Sequence, residues 1–94
     1  MPSRSAPQSP SDRQRVIVAY TEFKQAMSRA MVIHRAGGPA GEIRVCVDYA
    51  RVRFVTIADA IHSKRVSRSS LKIPTIESME QRIEAFETLL LISL

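Results

Sequence analysis

The sequence predicts an α+β domain made of a long N-terminal helix, a central β-hairpin, a short helix and a C-terminal amphipathic helix. Three observations carry this. Val16, Tyr20, Phe23, Met27, Ala30 and His34 recur at alternating gaps of four and three, a spacing that keeps apolar side chains on one helix face. From Ile43 the apolar set recurs at every second position, through Val45, Val47 and Tyr49, as one face of a strand does. After Pro74, Ile76, Met79, Ile83, Phe86 and Leu90 return to gaps of three and four.

Residues 1–10 hold Pro2, Pro7 and Pro10 among serines. That composition buries too little apolar surface to offset its ordering entropy, so a flexible tail is expected. Residues 11–94 are long enough for one small domain and no more. Ser11 and Gln14 have capping-box spacing, and Gly37, Gly38 and Pro39 supply a stop, which sets the first helix at about Asp12 to Arg35. The alternative is a strand over Arg15–Tyr20 ahead of a shorter helix, because β-branched residues are dense there. His34 reads as a packed or helix-end histidine, since the only other one, His62, has no metal-ligand spacing with it.

In the central stretch the apolar parity slips by one residue between Tyr49 and Val52. Such a slip requires a turn or bulge near Tyr49 to Arg51. A hairpin follows, or else a single bent strand. Packed on the first helix, the hairpin would turn Arg44, Arg51 and Arg53 together to its outer face. Ile57, Ala58, Ala60 and Ile61 then make the apolar side of a short helix opened by Thr56.

Beyond it, Lys64, Arg65, Arg68 and Lys72 alternate with Ser63, Ser67, Ser69 and Ser70, cations and hydroxyls suited to phosphate oxygens. Val66-Ser67-Arg68-Ser69-Ser70-Leu71, following Thr56-Ile57-Ala58-Asp59-Ala60, resembles the turn and second-helix start of helix-turn-helix repressors. The resemblance covers about a fifth of the chain. It implies that Arg68, Ser69 and Lys72 approach bases in a major groove. It departs at Arg65, where the family's turn usually has Gly, at Lys64, and at Pro74, which would shorten the second helix. A similar Ser-Arg-Ser start after a strand occurs in the ribbon-helix-helix family, whose first helix is longer than the one expected here.

The last helix spans about residues 76–93, capped by Thr75. Ile76, Met79, Ile83, Phe86 and Leu90 fall at heptad a and d positions, with Glu80 and Glu87 at e and Arg82 at g. This stripe is expected to associate with a second chain as a homodimer. Packing on the first helix within one monomer is the alternative.

The formal charge is +5, spread unevenly: residues 1–72 hold 13 Lys or Arg against 5 acids, and residues 73–94 hold 1 against 4. Eleven of the fourteen cations are Arg, the residue that grips phosphate or carboxylate bidentately. Cys46 is the only cysteine, which excludes an internal disulfide and disfavours a cysteine zinc site. No apolar run approaches a membrane span, and a soluble, intracellular protein is expected. Without a Gly-rich phosphate loop, a nucleophile elbow or paired metal-ligand histidines, the chain is expected to be no enzyme and to carry no metal or cofactor. Asp59 and His62, three residues apart, read as a surface pair. The leading expectation is a small basic nucleic-acid-binding regulator, for DNA or RNA, using Lys64, Arg65, Arg68, Ser69 and Lys72 with Arg44, Arg51 and Arg53. The alternative is a protein-interaction module or accessory regulator acting through its C-terminal helix on a protein partner.

Overall fold

The computed structural model describes residues 11–67, 69 and 71–92. They form three helices: α1 (Asp12–Arg35), α2 (Ala40–His62) and α3 (Ile76–Ile92), with no β-strand among the described residues. The predicted α+β class is therefore wrong. The chain is all-α here, and the expected tail at 1–10 lies outside the described residues.

α1 and α3 start on hydroxyl caps. Ser11 Oγ accepts from Gln14 N at 3.1 Å, and Thr75 Oγ1 accepts from Ser78 N at 3.0 Å, each satisfying one orphan amide of a first turn. α1 ends where the glycines imply. Gly37 takes a φ of 72°, and the amides of Gly37 and Gly38 donate back to the carbonyls of His34 and Ile33 at 3.1 and 2.8 Å, a Schellman ending. Pro39 then opens α2 at a φ of −65° with no side-chain cap.

The stretch expected to be a hairpin and a separate short helix is one helix of 23 residues. Its buried face is Ile43, Cys46, Val47, Ala50, Ile57 and Ala60, with Phe54 and Ile61 partly buried against the same core. Those gaps of three and four run unbroken through the presumed turn. The period-two pattern arose because Val45 and Tyr49, on the exposed side, alternate with buried Ile43 and Val47. Ala50, read as a turn residue, is fully buried. Burial of an amphipathic face outweighs the modest helix penalty of β-branched residues, a few tenths of a kcal/mol each.

α1 and α2 form the most extensively packed helix pair. Both bring small buried residues, Ala19, Ala26 and Ala30 from α1 and Cys46, Ala50 and Ala60 from α2, and side-chain size at a contact sets how near two helix axes come. The connection from Ser63 to Thr75 inserts Val66, Leu71 and Ile73 into the core, and α3 returns antiparallel along α2, as the Arg51–Glu87 ion pair shows. Met79, Ile83, Phe86 and Leu90 are 0–6% exposed and join Val16, Phe23, Met27 and Val47 in one cluster.

Candidate interaction surface

The residues expected to contact phosphate do not form a single patch. Arg51 and Arg53 leave α2 toward opposite neighbours: Arg51 pairs with Glu87 of α3, and Arg53 with Glu22 of α1 at 3.4 Å. The shared outer face assigned to Arg44, Arg51 and Arg53 depended on a hairpin. On a helix, residues seven apart share a face, so Arg44 lies with Arg51 and away from Arg53. Arg65 donates to Asp59 Oδ2 at 2.8 Å and lies 3.9 Å from Asp12 Oδ1, joining the end of α2 to the start of α1. His62, the expected partner of Asp59, is exposed, as is His34.

Lys64, Ser69 and Lys72 lie in the connection between α2 and α3, all exposed. Lys64 and Lys72 both adopt left-handed backbone, at φ of 61° and 53°. The Oγ atoms of Ser67 and Ser69 are 2.9 Å apart and hydrogen-bonded. Arg68 lies outside the described residues. The last turns of α2 hold Thr56 to Ala60, so the segment likened to a first repressor helix is the end of a much longer one.

The stripe nominated for dimerisation is occupied within the chain. Met79, Ile83, Phe86 and Leu90 are buried in the core of one molecule, and Ile76 is partly buried against it. The same side chains would contact a second copy only if α3 left this core. Among the described residues no helix is long and apolar enough to cross a membrane, and no three His, Cys, Asp or Glu gather as metal ligands.

An open groove between α1 and α2 was not anticipated from the sequence. It holds about 620 Å³ and is lined by Glu22, Gln25, Ala26, Arg29 and Ile33 from α1 and by Glu42, Val45, Cys46 and Tyr49 from α2. Val45 is 68% exposed, Tyr49 43% and Val52, a turn further on, 57%. Arg53 stands against two of the lining residues, Tyr49 and Glu22, its guanidinium 4.8 Å from the centre of the Tyr49 ring. Its Nε is buried without a hydrogen bond, so the 3.4 Å approach to Glu22 is an electrostatic contact of poor alignment. Arg29 and Glu42 stand on opposite banks, both exposed, and no ion pair of either is found among the described residues. The signal for this groove was Val45 and Tyr49, four apart and so on one helix face once the stretch is read with a helical period.

No family model, no curated protein and no solved structure matches the chain. Its function has to be read from its own side chains.

Proposed function

We propose that this chain is a non-enzymatic interaction module that takes an amphipathic helix of a protein partner into the groove between α1 and α2. The observation that supports it is the groove itself: an apolar lining of Ala26, Ile33, Val45 and Cys46 with Arg29 on one bank and Glu42 on the other. An amphipathic helix lays its apolar stripe into such a groove through anchors at i, i+3 or i+4, and i+7. From Glu22 to Ile33 the α1 wall is about 16 Å long at 1.5 Å per residue, room for about three turns. The occupant is then a helix with an acidic flank toward Arg29 and a basic flank toward Glu42. Tyr49 stacked under Arg53 supplies the type of residue pair in which binding energy concentrates.

The test is selection from a displayed library of three-turn amphipathic peptides in which flanking charges vary. Enrichment of the stated charge order, lost on Val45→Glu or Tyr49→Glu with helicity unchanged and inverted by the Arg29→Glu, Glu42→Arg exchange, supports the reading. Binders indifferent to all of these changes would refute it.

A second reading, nucleic-acid binding through the α2–α3 connection, is favoured by one observation. Lys64 and Lys72 are exposed there, beside Ser67 and Ser69, with no ion pair of either lysine found among the described residues. If Lys64, Arg65, Arg68 and Lys72 each neutralise one phosphate, log affinity for duplex DNA falls with log salt at a slope of about −3.6. Affinity that does not change with salt removes this reading.

A further inference from the structure

We infer that Ser67 is the acceptor of a phosphoryl group from a Ser/Thr protein kinase of the class that reads basic residues upstream of its target, and that the phosphate would draw Arg65 off its carboxylates. This rests on the α2–α3 connection and is independent of the groove.

Lys64-Arg65-Val66-Ser67 sets cations three and two positions before a hydroxyl. No other Ser or Thr in the chain has cations at both positions. Kinases discriminate substrates by charge patterns of this kind, an acidic subsite for each cation. The fold presents the pattern. Lys64, Arg65 and Ser67 are exposed and lie beyond the end of α2. Ser63 and Thr75 serve helix ends, Ser63 Oγ donating to the Asp59 carbonyl at 2.7 Å and Thr75 Oγ1 capping α3, whereas Ser67 Oγ shares a hydrogen bond with the exposed hydroxyl of Ser69. Ser69 is exposed beside Ser67, but Val66 and Ser67 occupy the positions where cations would be read.

A kinase cleft takes its target segment extended. Between Lys64 and Ser67 only Val66 is buried, while Leu71 and Ile73 hold the downstream end. Extending Lys64 to Ser67 releases Val66, the two amide bonds that close the end of α2, the Arg65 ion pairs and the Ser67–Ser69 hydrogen bond, all at the exposed surface except Val66, while Leu71 and Ile73 stay in the core. In the transfer, Ser67 Oγ forms a bond to the γ-phosphorus of ATP, the bond from that phosphorus to the β–γ bridging oxygen breaks, ADP leaves with the electron pair, and the serine proton passes to the kinase base.

The product carries about −1.5 to −2 charges and three strong acceptor oxygens. Arg65, two residues upstream, holds Asp59 at 2.8 Å and Asp12 at 3.9 Å with its side chain 48% exposed. A phosphate accepts two parallel guanidinium bonds, and these compete with carboxylates that are themselves solvated. Phosphorylation then loosens the link between the end of α2 and the start of α1.

The experiment incubates the full-length folded chain with the catalytic subunit of a basic-directed Ser/Thr kinase and Mg-ATP, and maps the product by mass spectrometry. One phosphate on Ser67 is expected, absent in Ser67→Ala and slowed at least tenfold in kcat/KM in Lys64→Ala/Arg65→Ala. Hydrogen exchange at residues 12–15 should quicken in the phosphorylated chain and stay unchanged in kinase-treated Ser67→Ala. No transfer to the folded chain, whether or not the peptide of residues 61–73 is a substrate, overturns the site. Transfer without faster exchange overturns the role of Arg65.

Discussion

Gly37 and Lys64 hold the same position in two copies of one helix ending, at φ of 72° and 61°. After α2, the amides of Lys64 and Arg65 donate to the carbonyls of Ile61 and Ala60 at 3.0 and 3.1 Å, as Gly37 and Gly38 do after α1. Left-handed backbone costs an L-residue about 1–2 kcal/mol, and glycine avoids it. Part of that gain is returned, because glycine loses more freedom on folding. Lys64→Gly is therefore expected to stabilise the chain by about 0.5–1 kcal/mol, a rise in Tm of a few degrees for a domain of this size. Gly37→Ala should lower Tm. Thermal unfolding followed by circular dichroism decides it, and a Lys64→Gly variant that melts lower would show that the lysine side chain contributes more than its backbone strain.

Gly38 is constrained for a different reason. A Cβ added there would stand 2.6 Å from Ile33 Cγ2 and 3.1 Å from the Ile33 carbonyl oxygen. Gly38→Ala is expected to cost about 1–3 kcal/mol, as overpacking does. Ile33→Ala removes the Cγ2 atom, so the double variant should be more stable than the two single losses sum to, with a coupling of at least about 0.5 kcal/mol. Additive losses in urea unfolding would show that the carbonyl contact dominates.

α1 and α3 were legible because each carries its own punctuation. Ser11 and Gln14, Gly37 to Pro39, and Thr75 after Pro74 mark ends that the backbone uses as expected, and the apolar stripes between them have one period. α2 has no hydroxyl cap, and its core face contains Cys46 and Ala50. Those small residues lie where α2 comes close to the alanines of α1, a need that only the neighbouring helix reveals. Its exposed face holds Val45, Tyr49, Val52 and Val55, which locally read as strand. The same misreading hid the groove, whose walls exist only when 42–49 is helical. The basic residues were visible in sequence, but their ion pairs with Glu22, Glu87 and Asp12 are tertiary and left no local trace.

The burial of α3 separates folding from assembly. Ile83 is 1% exposed and Phe86 6%. Ile83→Ala should cost about 2–5 kcal/mol, a large share of the roughly 5–15 kcal/mol available to a small domain. Phe86→Glu places an unpaired carboxylate in that core and is expected to abolish the helical circular dichroism signal. A Phe86→Glu protein that keeps its helicity while its sedimentation mass falls would instead place Phe86 at a contact between chains.

Arg65 and Arg53 both pair with carboxylates, but their environments differ enough to predict unequal losses. The side chains of Arg65 and Asp59 are 48% and 69% exposed. An ion pair so wetted contributes about 0–1 kcal/mol, and 1 M salt, with a screening length of about 3 Å, removes most of it. Arg53 is 34% exposed, and its guanidinium lies over the Tyr49 ring. Losing it forfeits a cation–π contact of about 0.5–1 kcal/mol together with packing that salt does not screen. Arg53→Ala should then cost about 1–2 kcal/mol with little change between 0.1 and 1 M NaCl, whereas the smaller cost of Arg65→Ala should vanish at high salt. Urea unfolding of both variants at the two salt concentrations checks the contrast. A loss for Arg53→Ala that disappears in 1 M salt would make its role purely ionic and would remove the stacking of Arg53 as what holds Tyr49 at the groove.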